Sequence, residues 1–246
     1  MRVPECRRLL VVGGWGVRAE MLEQLWQQWP GEVICVSLDD DLMGRCNSVQ
    51  DAAEELLRRY PEPAHWLGWS LGAQVVMAAA GAAQGSVVSV ITLAGFPKFV
   101  AGDGWSTGMP ASQFRAFVRG IALNPERYWL HFQLLMINGS GNEACDRAEL
   151  KPWLEQGCSV SSASLEKGLR WLGENDQRKL WASLESPALH LLGERDPVVP
   201  PWKAGFSCSA HARVRVIPGM GHWPAQRSAQ ACFHEIDRFV SACGVH

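Results

Sequence analysis

Over residues 1–95, apolar, β-rich runs alternate regularly with helical patterns. The apolar runs are Leu9–Val12, Val33–Ser37, Ala64–Leu67 and Val87–Leu93. The helical patterns that separate them are Ala19–Trp29, Val49–Tyr60 and Leu71–Ala83. Continuous apolar runs are typical of parallel strands buried on both faces, and alternation at this pitch places helices on both sides of the sheet. The pattern predicts an α/β fold.

The alternation stops after Leu93 and resumes at Ala188, about 90 residues later. Only helical periodicity fills the interval, at Ser112–Leu123, Pro125–Ile137, Ala144–Gln156, Ser162–Leu172 and Asn175–Leu184. The pattern then continues with strands Ala188–Leu192 and Val214–Ile217 and a helix Ala225–Ala242. A crossover between parallel strands needs only about a dozen residues, so the excess indicates an insertion. We expect a sheet domain of residues 1–95 and 186–246 with a helical cap of residues 96–185. Two separate domains fit less well, because the β-α pattern is split rather than completed.

The composition excludes several classes of protein. Hydrophobic residues make up 47% and charged residues 20% of the chain, which is typical of a globular protein and not of a disordered one. A formal net charge of −2 provides no overall attraction for nucleic acid or an anionic membrane. The apolar runs are too short for a membrane span or a secretory signal, and the eight cysteines form no Cys-x-x-Cys pair. We expect a cytoplasmic monomer with no nucleic-acid or membrane partner.

The sharpest motif is Gly-Trp-Ser-Leu-Gly at residues 68–72, between the strand that ends at Leu67 and the helix that begins at Leu71. A nucleophilic serine needs a strained strand-to-helix turn that raises its hydroxyl above the sheet. Small residues on both sides let the backbone close around that turn. Ser70 is therefore the candidate nucleophile. The alternative is a turn serine that only caps the helix.

Two loops after later strands supply the partners that such a serine requires. A serine hydroxyl is a weak nucleophile near neutral pH and needs a base whose tautomer a carboxylate fixes. Asp196 follows the strand that ends at Leu192, and His222 follows the strand that ends at Ile217. The carboxyl ends of parallel strands share one edge of the sheet. We therefore predict a catalytic triad of Ser70, Asp196 and His222.

Other acids and histidines compete less well. Glu194 lies two residues before Asp196 and could replace it. Asp176 and Glu174 lie in the predicted cap and would need a long excursion to reach His222. A histidine in the middle of a strand and flanked by leucines, as His190 is, predicts a packed core residue.

Acyl transfer also requires N–H donors aimed at the developing oxyanion. One candidate is the N–H of Leu71, at the positive end of its helix. The other is the N–H of Trp15 in the loop Gly13–Gly16, whose glycines let the backbone turn towards the site. A dinucleotide-binding loop is a poorer interpretation, because Ala19 stands where the third glycine is needed.

No metal or cofactor is expected from the sequence. No His, Cys and Asp set has zinc-ligand spacing. The run Asp39–Asp41 lacks the spacing of a calcium loop and is interpreted as a solvated turn after a strand.

These residues give the chain a resemblance to the α/β-hydrolase superfamily. The order Ser, Asp, His along the chain is the order of that superfamily. The motifs Gly14–Gly16 and Trp66–Gly72, the segment Glu126–Phe132 and the helix around Gly168 resemble most the pimeloyl-[acyl-carrier protein] methyl ester esterases of biotin synthesis. The similarity extends over nearly the whole chain.

The resemblance implies a serine carboxylesterase that hydrolyses the methyl ester of pimeloyl-[acyl-carrier protein] through an acyl-enzyme. It implies that Trp15 and Phe132 bind the acyl part of the substrate. It also implies that Arg127 contacts the arm of the carrier protein. The chain departs from the family at Gly13, where most relatives have histidine, and at His131, where a second arginine is expected.

Several alternatives stay open. Arg115, Arg119 and Arg127 would share one helical face if the helix were continuous, but Asn124-Pro125 interrupts it. This part of the cap is then either a docking surface for an acidic partner or an amphipathic lid with a solvated basic face. The activity could also be that of a broad carboxylesterase on short acyl esters, or the non-hydrolytic elimination of the menaquinone-synthesis type. A non-catalytic ligand-binding protein on the same fold is less favoured, because a binder gains nothing from a triad.

Tryptophan is unusually frequent, with 12 residues in 246. Five of the 12 tryptophans are expected beside the site: Trp15, Trp69, Trp129, Trp202 and Trp223. Large, rigid apolar surfaces with a polar edge are therefore expected around the reaction centre.

Overall fold

The sheet of this computed structural model, which describes residues 6–82, 85–201 and 208–243, has six strands. In chain order they are β1 (Leu9–Val12), β2 (Val33–Val36), β3 (Ala64–Trp69), β4 (Val87–Leu93), β5 (Ala188–Gly193) and β6 (Ala212–Ile217). The spatial order is β2-β1-β3-β4-β5-β6, and every neighbouring pair is parallel. The predicted α/β architecture is confirmed.

Helices cover both faces of the sheet. A 3-10 helix spans Ala19–Leu25, and the α-helices are α1 (Asp40–Arg45), α2 (Val49–Arg59), α3 (Leu71–Ala82), α4 (Ala111–Leu123), α5 (Pro125–Leu135), α6 (Glu143–Gln156), α7 (Ser162–Glu174), α8 (Arg178–Ser183) and α9 (Gln226–Cys243). The first predicted helix is thus a short 3-10 helix, and the predicted residue Ala83 of the third lies outside the described residues. Among the described residues, no helix combines the length and the apolar character that crossing a bilayer requires.

The core forms two layers, one on each face of the sheet. Successive strand residues point to opposite faces, so Leu10 and Val12 of β1 pack in one layer, which includes residues of α2 and α3. Leu9 and Val11 pack in the other layer, with residues of the 3-10 helix and α9. All four side chains are at most 1% exposed. Burial on both faces explains why these strands are continuous apolar runs.

Helices α4 to α8 all lie between β4 and β5 in the chain. Asn124 separates α4 from α5: its side chain accepts the N–H of Arg127 at 3.1 Å, and Pro125 occupies the first turn of α5. The helix is therefore interrupted at the position that the sequence indicates, and Arg115 and Arg119 of α4 do not share a continuous helix with Arg127. The division into a sheet domain and a cap stays a prediction.

The segment that follows β4 is bonded to the segment that precedes α8. Gln177 donates its backbone N–H to the carbonyl of Pro97 and its side-chain amide to the carbonyl of Gln74 on α3, both at 2.8 Å. Lys98 forms an ion pair with Asp176 at 3.0 Å. Asp176, an alternative to Asp196 as the catalytic acid, is therefore engaged in the contact between these two segments.

Asp39, Asp40 and Asp41 are exposed, as predicted, but the predicted turn is wrong, because helix α1 begins there. The Asp39 side chain accepts the N–H of Leu42 at 2.9 Å and caps that helix. The Asp40 carboxylate accepts the backbone N–H of Ser161 at 3.0 Å and its hydroxyl at 2.8 Å. Ser161 precedes α7, so Asp40 connects α1 to a segment 121 residues away.

Candidate active site

Ser70 occupies a strained turn between β3 and α3. Its φ of 55° lies in the left-handed region, which is unfavourable for a residue with a side chain. The backbone is so close there that a Cβ on Gly68 would lie 2.3 Å from the carbonyl oxygen of Gly72, and one on Gly72 would lie 2.4 Å from that of Val12. Both flanking positions therefore require glycine. The Ser70 N–H donates to the carbonyl of Leu93 at the end of β4, which holds the turn on the sheet.

The structure brings Ser70, His222 and Asp196 together in one chain of hydrogen bonds. His222 Nε2 lies 3.0 Å from Ser70 Oγ, and His222 Nδ1 lies 2.8 Å from Asp196 Oδ2. All three residues are at least 95% buried. The donor and acceptor roles follow from chemistry: with the carboxylate accepting from Nδ1–H, Nε2 is left as the acceptor for the serine hydroxyl.

The second carboxylate oxygen of Asp196 is also fixed. Asp196 Oδ1 accepts the backbone N–H groups of Val198 and Val199, each at 2.8 Å. Glu194, the alternative acid, is exposed and accepts the N–H of Gly219 at 2.9 Å. The geometry thus favours Asp196 as the partner of His222.

The backbone of the histidine loop is held by helix α5 and by β3. The N–H groups of His222 and Trp223 both donate to the carbonyl of Met136, at 2.9 and 3.2 Å, just after the end of α5. The carbonyl of His222 accepts the indole N–H of Trp69 at 2.9 Å. A Cβ on Gly221 would lie 2.7 Å from the Met136 carbonyl oxygen, so this approach requires glycine.

Of the two expected oxyanion donors, Leu71 follows Ser70 directly, and Trp15 belongs to a loop that packs against Ser70. Leu71 is the first residue of α3, so its N–H has no acceptor within the helix. A Cβ on Gly14 would lie 3.3 Å from Ser70 Cβ, which places the loop before Trp15 directly against the nucleophile. The oxyanion role of Trp15 and Leu71 stays a prediction.

An apolar cavity of about 160 Å³ opens at Ser70. Its lining residues are Trp15, Ser70, Phe99, Met109, Gln113, Phe117, Phe132, Leu135, Leu169, Leu172 and Val198. Two of the three predicted substrate-binding residues, Trp15 and Phe132, are therefore in its wall. Arg127 is exposed on α5 and is not part of the lining. An apolar cavity of about 150 Å³ holds a benzene-sized molecule, so this cavity has room for roughly six carbon atoms.

Aromatic rings join the cavity to the histidine. The ring of Phe132 lies edge-on to Trp15 with centroids 5.1 Å apart and edge-on to His222 with centroids 6.1 Å apart. Trp15 is also edge-on to Phe117 at 5.6 Å. Such contacts add a fixed orientation to the burial of the rings. Of the five tryptophans expected near the site, Trp202 lies outside the described residues.

Several residues of the site were not predicted. Of the lining residues Phe99, Met109 and Val198, the first two are joined by a hydrogen bond from the Met109 N–H to the Phe99 carbonyl at 2.7 Å, while Val198 lies far from both in the chain. No sequence pattern connects the three. Leu169 and Leu172 stand three apart on α7, and this helical spacing could have indicated a shared face. The role of Met136 uses only its backbone carbonyl, which leaves no trace in the side-chain pattern.

The strand-turn-helix nucleophile position and the parallel sheet agree with a family match. Residues 9–235 match the alpha/beta hydrolase family, and the chain belongs to that family. The family predicted from the motifs is thereby confirmed.

Two curated relatives are more specific. The chain is 37% identical over 153 residues to the pimeloyl-[acyl-carrier protein] methyl ester esterase of Methylococcus capsulatus, an alignment that covers 62% of this chain and 60% of that protein. It is 31% identical over 181 residues to the protein of the same name from Xanthomonas campestris pv. campestris, covering 72% of this chain and 70% of the relative. The first alignment therefore spans less than two thirds of the relative's length.

Among solved structures, an esterase from Exiguobacterium antarcticum superimposes with a TM-score of 0.79 at 16% identity. The superposition covers 97% of this chain and 93% of the esterase. At this identity the likeness establishes the fold alone.

Proposed function

We propose that the chain is a serine carboxylesterase that hydrolyses the methyl ester of pimeloyl-[acyl-carrier protein] in biotin synthesis. The observation that carries the proposal is the buried hydrogen-bond chain from Ser70 Oγ through His222 to Asp196, with distances of 3.0 and 2.8 Å. The names of the curated relatives support the choice of substrate.

In the proposed reaction, His222 Nε2 takes the proton of Ser70 as the hydroxyl oxygen attacks the ester carbonyl. The N–H groups of Trp15 and Leu71 stabilise the oxyanion that forms. His222 then returns the proton to the methoxy oxygen, and methanol leaves an acyl-enzyme on Ser70. A water molecule, deprotonated by His222, attacks this ester and releases the carboxylic acid. Asp196 stays ionised and stabilises the imidazolium in both halves.

The cavity is proposed to hold the acyl chain, because its wall is almost entirely apolar and begins at Ser70. The carrier protein is proposed to approach helices α4 and α5. Arg115, Arg119 and Arg127 are exposed there and would attract an acidic partner. We also propose a cytoplasmic location, since all eight cysteines are free thiols. The expectation of a monomer stays a prediction.

Hydrolysis of methyl pimeloyl-carrier protein should be measured beside that of p-nitrophenyl acetate, for the wild type and Ser70→Ala. We expect Ser70→Ala to lower kcat on both esters by on the order of 10⁴-fold or more. The matched control is Ser89→Ala: Ser89 is also fully buried and bonded to a histidine, with Oγ 2.8 Å from His65 Nδ1, but on the strand β4. Activity that survives in Ser70→Ala would contradict the mechanism.

Docking of the carrier protein on α5 can be tested by reversing the charge of an exposed arginine. Arg127→Glu should lower kcat/KM for the carrier-bound ester by about 10-fold at low salt and leave p-nitrophenyl acetate hydrolysis unchanged. Arg227→Glu, at an exposed position on α9, is the control and should change neither. Equal effects of the two charge reversals would remove the support for docking on α5.

A broad carboxylesterase on short acyl esters is the second candidate. The observation in its favour is that Arg127 does not line the cavity, so none of the three predicted substrate-binding residues adds a charge there. Hydrolysis of p-nitrophenyl acetate with no turnover of the carrier-bound ester would decide for this candidate.

A further inference from the structure

Two indole groups join the Gly13–Gly16 loop to the helices between β4 and β5, in opposite directions. Trp15 donates its indole N–H to the carbonyl of Leu165 on α7 at 2.8 Å. Trp129 on α5 donates its indole N–H to the carbonyl of Gly16 at 2.7 Å. Both tryptophans are at least 94% buried, so neither bond competes with bulk water. The loop is therefore held at two consecutive residues by groups on α5 and α7.

The packing around these bonds is close enough to fix the loop. Gly16 has a φ of +61°, and a Cβ there would lie 2.8 Å from a methyl group of Leu165 and 3.2 Å from the indole of Trp129. On the opposite side, a Cβ on Gly168 of α7 would lie 2.5 Å from the indole of Trp15. Glycine at both positions lets α5 and α7 close directly on the loop, and little room is left for the loop to rotate.

We propose that Trp129 is a positioning residue for the oxyanion site. This inference rests on the proposed function, in which the backbone N–H of Trp15 stabilises the oxyanion. An oxyanion donor must lie about 2.7–3.1 Å from the oxygen in the transition state, so a small rotation of the loop weakens it. Trp129 is not among the described residues that line the cavity, and its hydrogen bond to the Gly16 carbonyl joins it to the loop that carries Trp15.

A residue with this role affects the transition state and not substrate binding. Trp129→Phe removes the indole donor and keeps an aromatic ring of similar bulk. We expect it to lower kcat on p-nitrophenyl butyrate by about 10-fold to 100-fold with KM within about 2-fold, because a misplaced catalytic group costs up to about 100-fold. An alkyl boronic acid, which forms a tetrahedral adduct with the nucleophilic serine, should lose affinity by the same factor.

The matched control is Trp171→Phe. Trp171 on α7 is similarly buried and donates its indole N–H to the carbonyl of Asn47, between α1 and α2, at 2.8 Å. The variant therefore loses the same type of bond at a place away from the Gly13–Gly16 loop. We expect kcat and boronate affinity to stay within about 2-fold of the wild type. Thermal unfolding of both variants verifies that they are folded. If Trp129→Phe does not fold, Gly16→Ala tests the same contact and should lower kcat with little change in KM.

The inference is overturned if the two tryptophan variants lower kcat equally, or if kcat falls in Trp129→Phe with no loss of boronate affinity. If the wild type hydrolyses no ester, the proposed function fails, and boronate affinity alone then decides. Lost affinity in Trp129→Phe supports the positioning role in that case, and unchanged affinity overturns it.

Discussion

The Asp196 carboxylate binds His222 through one oxygen and two backbone N–H groups through the other. Oδ2 lies 2.8 Å from His222 Nδ1, while Oδ1 accepts the N–H groups of Val198 and Val199. Neither the Asp196 nor the His222 side chain is exposed to solvent. The two backbone donors therefore fix which carboxylate oxygen faces the histidine.

Asp196→Asn should reverse the tautomer of His222. The amide oxygen is expected to keep the two backbone N–H donors, which leaves the NH₂ group facing Nδ1. Nδ1 then has to accept, Nε2 carries the proton, and the ring cannot take the proton of Ser70. We expect kcat near neutral pH to fall by about 10⁴-fold with the fold retained. Ester hydrolysis and thermal unfolding are the measurements.

Glu194→Gln is the control for that variant and tests the alternative acid directly. Glu194 is exposed and bonded to the Gly219 N–H, and an amide oxygen can accept the same bond. We expect kcat to change by less than about 3-fold, within the range of surface substitutions. A loss comparable to that of Asp196→Asn would mean that Glu194 is the acid.

The glycines of the nucleophile turn should be intolerant of any side chain. In Gly72→Ala, the new methyl group would meet the carbonyl oxygens of Val12 and Gly13 at 2.4 Å, and backbone atoms cannot move aside cheaply. We expect a loss of about 3 kcal/mol or more in the free energy of unfolding. Gly44→Ala is the opposite case, because the site on α1 is open and helical. It should stabilise by about 0.5–1 kcal/mol. Chemical denaturation measures both, and equal effects would contradict the packing argument.

His190 should make the stability pH-dependent. Burial lowers its pKa from 6.5 to about 3, and its ring stacks on Trp181 with centroids 4.5 Å apart. Because the folded-state pKa lies below the unfolded value, the unfolded chain binds the proton more tightly between pH 6.5 and 3. Stability is thus unaffected by this group above pH 6.5 and falls as the pH drops below it, by about 1 kcal/mol per pH unit.

The slope of unfolding free energy against pH, measured from pH 5 to 8, tests this prediction. His190→Gln should flatten the slope below pH 6.5 whatever its effect on absolute stability. His211→Asn, at an exposed position, should leave the slope unchanged. An unaltered slope in His190→Gln would refute the role of this histidine.

The cavity wall should set the acyl chain that is accepted. Met109 is half-buried in the lining, so Met109→Trp should fill part of the space. We expect kcat/KM for p-nitrophenyl hexanoate to fall by about 10-fold and that for the acetate by less than about 3-fold, because only the longer chain needs the space. Leu123→Trp, at a position that is 85% exposed, should alter neither ester. Equal losses on both esters would show that the cavity does not hold the acyl chain.

Those features of the fold and of the site that a short segment of the chain determines were predictable from the sequence. Apolar runs identified the strands, and the glycines around Ser70 identified the turn, because a strained turn leaves a local signature. Asp196 and His222 were found because each closely follows a strand. The contact of Asp40 with Ser161, 121 residues away, has no such signature. The run Asp39–Asp41 begins a helix instead of the predicted turn, because aspartate is favoured both at helix N-caps and in turns.

The position of Arg127 marks a second limit. A resemblance transfers a residue's place in the chain, whereas the direction of its side chain depends on how α5 packs. In the structure that side chain is exposed and outside the cavity lining. The bond from the His222 N–H to the Met136 carbonyl was equally beyond prediction, because any residue at position 136 except one that alters the backbone could supply it.

That same carbonyl has a consequence for how the protein acquires its activity. Met136 lies between β4 and β5 and holds the backbone of His222, while Trp129 from the same region holds Gly16. Closing contacts over 86 and 113 residues is entropically costly and comes after local structure in folding. On refolding from denaturant, helical circular dichroism should therefore recover before catalysis does. Deleting residues 96–185 would yield an inactive sheet and not a more open enzyme.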